Sequence, residues 1–74
     1  MFTAREYWDL MLLKFEDMGG NISLEELILE HAGIPKKRMD EWKDLYIPNK
    51  TYRERIRKAM EDFINKKNSL NGAA

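Results

Sequence analysis

Residues 23–42 read SLEELILEHAGIPKKRMDEW, a helix, a sharp turn and a second helix. Ser23 is a favourable N-cap, and Glu26 three residues later completes a capping box. Leu24, Leu27, Ile28 and Ala32 recur at helical spacing and mark one apolar face. Gly33 ends that helix, because the position just past a helix terminus often takes the left-handed conformation that glycine adopts cheaply. Ile34 follows as an apolar plug. Pro35 opens the next helix, where its missing N–H costs nothing. Met39, Trp42 and Tyr46 give that helix its buried stripe, so it should run from Pro35 to about Tyr46.

The flanking segments fit the same plan. Thr3 caps a first helix with Glu6 as its capping-box partner, and Phe2 and Tyr7 are spaced for a hydrophobic staple. Trp8, Met11, Leu12, Phe15 and Met18 form its stripe, widened by Leu10 and Leu13. Gly19-Gly20 closes it. Ile22 and Leu27 can staple across the Ser23 cap. After the third helix, Ile47-Pro48-Asn49-Lys50 breaks the chain, since a residue before proline avoids the helical region. Thr51 then caps a fourth helix with Glu54, and Tyr52, Ile56, Ala59, Met60, Phe63 and Ile64 form its buried face. Four i,i+4 pairs decorate its wet side: Glu54–Lys58, Arg57–Glu61, Lys58–Asp62 and Asp62–Lys66. No stretch alternates at period two. The expected fold is all-α, a compact four-helix domain over residues 1–67 with a frayed tail over 68–74.

Composition narrows the class further. At 74 residues the chain is one domain near the lower limit for independent folding. It has no cysteine, which excludes disulfides and thiolate metal sites. MFTAREYW does not read as a signal peptide, and no apolar run approaches the roughly 20 residues of a membrane span. A soluble, cytoplasmic protein with no membrane contact is expected. Net charge is zero but unevenly placed. Residues 1–34 carry two basic and seven acidic groups, and residues 35–74 carry eleven basic and six acidic. That asymmetry can turn the basic half toward a polyanion.

With Gly33 as the turn glycine, Ile28, Ala32, Ile34, Met39 and Trp42 fall at the apolar positions of a helix-turn-helix motif. The chain resembles that DNA-binding superfamily over roughly residues 7–64. Phe15 through Gly19 and His31 through Ile34 are similar to the DNA-binding domain of tetracycline-repressor-type regulators. Ile47-Pro48-Asn49-Lys50 is similar to that family's aromatic-Pro-Ser-Lys step, although the third helix here would be about one turn longer. The second half equally resembles Cro and phage-repressor domains, whose motif often ends on an aromatic near Trp42. Leu29 departs from the small residue usual there and implies a wider helix crossing or an altered rotamer. The ligand-binding domain of the tetracycline-repressor class has no counterpart here, so no small-molecule ligand is implied.

The resemblance implies that the third helix enters the major groove of double-stranded DNA with its first turn at the base edges. Lys36, Lys37 and Arg38 occupy that turn and suit guanine edges and phosphates. Lys43, Lys50, Thr51 and Arg53 would hold the backbone, and Ser23 would offer a helix N-terminus to a phosphate. A small bacterial or phage transcription regulator, acting as a homodimer on a two-fold site, is the expected function. A second reading stays open. Lys37, Asp40, Glu41 and Asp44 point outward from the third helix, and acids facing a groove are repelled by phosphates unless they accept from cytosine. Such a face equally suits a protein-interaction module of a phage or mobile element that binds a host protein. Enzymatic activity is not expected. His31 has no cysteine or second histidine to work with, and Gly19-Gly20 lacks the strand and lysine of a phosphate loop. No cofactor and no metal are called for.

Overall fold

A computed structural model of the chain describes the backbone of residues 3–42 and 45–72, with side chains described through residue 68. Four helical segments and, among the described residues, no strand make this a small all-α domain. Phe2 and the expected staple to Tyr7 lie outside the described residues, as do Lys43 and Asp44.

Helix α1 spans Ala4–Asp17. The Thr3 hydroxyl accepts from the Glu6 N–H at 3.1 Å and donates to the Glu6 carboxylate at 3.2 Å, satisfying an orphan donor of the first turn. Its two closing glycines do different work. Gly19 takes φ +100°, and the Gly19 and Gly20 amides bond back to the carbonyls of Glu16 (3.0 Å) and Phe15 (2.9 Å), a Schellman closure. Gly20 is needed for space. A Cβ there would lie 2.5 Å from the ring of Phe15, which is wholly buried.

Helix α2 begins at Leu24–Glu26, and the Ser23 hydroxyl accepts from the Glu26 N–H at 3.1 Å. It runs on into a π-helical turn, Leu27–His31, which the apolar spacing did not foreshadow. The Ala32 amide bonds to the Leu27 carbonyl at 3.0 Å, five residues back, and the Ile34 amide to the Ile28 carbonyl at 3.2 Å. Gly33 closes the turn at φ +67°. Arg55, from the last helix, donates to the carbonyls of Ala32 (3.0 Å) and Gly33 (3.4 Å), so a distant guanidinium satisfies groups that the helix end leaves orphaned.

Helix α3, Lys36–Trp42, opens with the Arg38 and Met39 amides bonded to the Pro35 carbonyl. The Leu45 and Tyr46 amides both bond to the Trp42 carbonyl, at 2.7 and 3.1 Å. Tyr46 does not join the buried stripe expected of it, because 63% of it is exposed. Its backbone faces inward instead: the Tyr46 carbonyl accepts from the Trp8 indole N–H at 3.3 Å. Pro48 is fully buried and fills core space beyond α3.

Helix α4 covers Lys50–Gly72, 23 residues. Asn49, not Thr51, is its cap: the Asn49 side-chain oxygen accepts from the Tyr52 N–H at 3.1 Å. Asparagine is at least as good a cap as threonine, and Pro48 already holds the chain extended up to that point. Thr51 therefore sits inside the first turn. At the other end the helix continues through residues 68–72, past the boundary near 67 that the loss of apolar periodicity suggests. No proline lies in that stretch, and glycine, a weak helix former, comes only at position 72.

The core is Phe15, Leu27, Ile28, Ile34, Trp42, Ile56, Ala59, Met60 and Ile64, drawn from every helix. Trp8 stacks on Trp42 with centroids 5.9 Å apart, and Tyr52 meets Trp42 edge-on at 5.1 Å. Phe63 packs against both Phe15 and His31. Of the four expected i,i+4 pairs on α4, Arg57–Glu61 closes, at 2.6 Å. Among the described residues the other three do not come within 4.0 Å.

Candidate nucleic-acid interface

The first turn of α3 is exposed at Lys36, Lys37 and Arg38. Lys36 lines a hollow with Trp8, Leu24, Glu25, Ile28, Met39 and Asp40, so it shares that hollow with two carboxylate-bearing residues. Among the described residues it forms no ion pair, and neither does Lys37. Arg38 differs. Its guanidinium donates to the Glu41 carboxylate at 3.0 Å and lies 5.7 Å from the centre of the Tyr52 ring. Arg55 approaches the same ring at 5.9 Å. The Arg38–Glu41 pair is about half exposed on both sides, and a pair of that kind contributes roughly 0–1 kcal/mol. A phosphate can therefore compete for Arg38. Asp40 and Glu41 are exposed on the same helix.

The residues assigned to phosphate contact fall elsewhere. Ser23 is exposed, but its hydroxyl is engaged at the α2 cap. Lys43 lies outside the described residues. Lys50 is exposed at the start of α4, and Thr51 follows it without a capping role. Arg53 is anchored, since its guanidinium donates to the Pro48 carbonyl at 2.8 Å and braces the loop before α4.

Lys50 and Arg53 line a separate groove between α1 and α4, together with Tyr7, Met11, Lys14, Glu54, Arg57 and Met60. The expected site is thus split. Lys36 lines one hollow, Lys37 and Arg38 another with Pro35 and Glu41, and Lys50 and Arg53 a third. Lys14 was missed by the sequence reading because it belongs to α1, and only docking of α1 on α4 brings it beside Arg53 and Arg57. The recurrence of Lys50, Arg53 and Arg57 at i, i+3 and i+7 was a legible signal for the α4 side of that groove.

Tyr7 sits in the same groove with its hydroxyl buried and without a hydrogen-bond partner. Burial raises its pKa above the ordinary tyrosine value, and the nearby Arg53 charge partly offsets this. His31 is exposed beside Phe63, and no cluster of three or more His, Cys, Asp or Glu among the described residues is placed to hold a metal. No helix is long and apolar enough to cross a membrane among the described residues. Compared with protein-family models, characterised proteins and solved structures, the chain matches none.

Proposed function

We propose that the chain is a small helix-turn-helix module that binds double-stranded DNA and regulates transcription. The observation that supports this reading is the exposed, consecutive Lys36-Lys37-Arg38 at the opening of α3, which follows α2 through the Gly33 turn. That turn is braced from α4 by Arg55. Lysine and arginine at the first turn of such a helix are suited to base edges and phosphates. A homodimer on a two-fold site is part of the proposal, because a single small module rarely reaches specific affinity. The test is a mobility shift with DNA from upstream of the chain's own gene at two salt concentrations. A retarded complex that weakens with salt and resists unrelated competitor DNA supports the reading. Absence of any complex at low salt counts against it.

A specific observation favours a second reading, a module that binds a host protein. Asp40 and Glu41 are exposed on α3, Arg38 is turned onto Glu41, and Leu45 is 75% exposed just beyond. This alternative expects a stoichiometric protein partner that is lost on Asp40→Lys plus Glu41→Lys. Recovery of nucleic acid alone would rule it out.

A further inference from the structure

The groove between α1 and α4 is strongly one-sided in charge. Lys14, Lys50, Arg53 and Arg57 line it against one carboxylate, Glu54. Among the described residues, Lys14 and Lys50 form no ion pair. Arg57 is paired with Glu61 at 2.6 Å, but both side chains are about half exposed, and such a pair yields readily to a competing anion. Arg53 is fixed by the Pro48 carbonyl, so its charge is held in place rather than spent on a carboxylate.

Spacing adds a second argument. Lys50, Arg53 and Arg57 lie on one side of α4 and span about 10 Å at ~1.5 Å rise per residue. The phosphates of one duplex strand recur every ~3.4 Å along the helix axis, so that span covers about three phosphate steps. The floor is Tyr7, Met11 and Met60, an apolar base beside which charge–charge attraction is less damped than in open water.

We propose that this groove seats a short run of phosphodiester backbone, gripped by Lys14, Lys50, Arg53 and Arg57. The site goes beyond the reading of α3, since it needs only phosphates and not the major groove of a duplex. The shared ligand chemistry is the backbone phosphate, and a single strand and a duplex both supply it. An acidic peptide fits less well, because a line of cations along one helix matches regularly spaced anions.

The experiment titrates the full chain with a labelled oligothymidylate and with a labelled duplex at several salt concentrations. It compares wild type, Lys14→Ala plus Arg57→Ala, and Lys36→Ala plus Lys37→Ala. Both sets of residues are exposed, and circular dichroism checks that each variant folds. The expected result is that the groove variant binds at least one nucleic acid several-fold more weakly. Its slope of log affinity against log salt should fall by roughly 0.7–0.9 per contact removed. If only the Lys36/Lys37 variant weakens duplex binding, the groove proposal is overturned and the α3 reading stands. Should single-strand binding be lost only through Lys14 and Arg57, with no duplex binding, the groove stands and the α3 reading falls. Wild type that binds neither, or that binds a polyglutamate peptide more tightly than both, overturns the groove proposal.

Discussion

The first turn of α3 and the groove between α1 and α4 each hold several cations, yet they are assembled differently. On α3 the cations are consecutive in the chain, and acids follow within a turn; one of them, Glu41, already holds Arg38. In the groove the cations come from two helices and face a single lining carboxylate. A local cluster is exposed to local compensation, because residues three or four apart on a helix meet each other. A cluster built by tertiary docking is compensated less, since Arg57 is held by Glu61 while Arg53 is held by a backbone carbonyl, but it depends on how α1 ends and where α4 begins. The two basic surfaces should therefore respond to different substitutions.

The largest expected effect is on the docked surface. Gly20→Ala places a Cβ within 2.5 Å of the buried Phe15 ring at the end of α1, the helix that carries Lys14. Overpacking of this kind costs about 2 kcal/mol, or roughly 10 °C in Tm for a domain of this size. Thermal unfolding by circular dichroism reads it, and an unchanged Tm would mean that α1 does not depend on this contact. Next comes Arg55→Ala, which strips the donors from the Ala32 and Gly33 carbonyls and loosens the turn that aims α3. A loss of about 1 kcal/mol is expected, since Arg55 is exposed and its charged bonds are partly screened. Amide exchange should quicken at residues 34–39 while α1 keeps its protection. Equal quickening in both helices would show that the two surfaces are not separately supported.

Smaller changes separate the surfaces further. Glu41→Ala frees Arg38 and removes an acid from α3, while stability moves by no more than about 0.5 kcal/mol. Duplex affinity should rise a few-fold, and a fall would mean that Glu41 itself contacts the DNA. The smallest effect is at Tyr7. Tyr7→Phe deletes a buried hydroxyl that has no partner, so stability near neutral pH should hold or rise slightly. Burial raises the Tyr7 pKa in the folded protein. The folded state thus keeps this proton to higher pH than the unfolded chain, and stability falls as pH climbs above about 10, the ordinary tyrosine value. Denaturant melts between pH 9 and 11 should show a shallower decline in the phenylalanine variant. Identical declines would remove Tyr7 as the cause.

Features carried by neighbouring residues were legible in the sequence. The Thr3 and Ser23 caps, the glycine closures and the core residues followed from spacing, but the same spacing put Leu10, Leu12 and Leu13 on the stripe of α1, and all three are exposed. Asn49 and Thr51 are both good caps, and the Thr51–Glu54 pattern favoured the wrong one; Pro48 settles the choice through the backbone before it. Tyr46 looked buried because its periodicity fits α3, but α3 gives way ahead of Pro48 and the side chain turns out. The π turn at Leu27–His31 keeps apolar residues at spacings that an α-helix also fits, and its Arg55 brace joins residues more than twenty apart, which no local pattern records. The same limit hid Lys14 from the groove. The basic residues of α3 were readable one by one, but the capture of Arg38 by Glu41 required the helix to be built.

The salt dependence of duplex binding by the wild-type chain and by Lys36→Ala plus Lys37→Ala tests the DNA reading. The expected outcome is measurable affinity at low salt and a slope of log affinity against log salt that falls by about two in the variant. No binding at low salt, or a slope that the double substitution leaves unchanged, would contradict it.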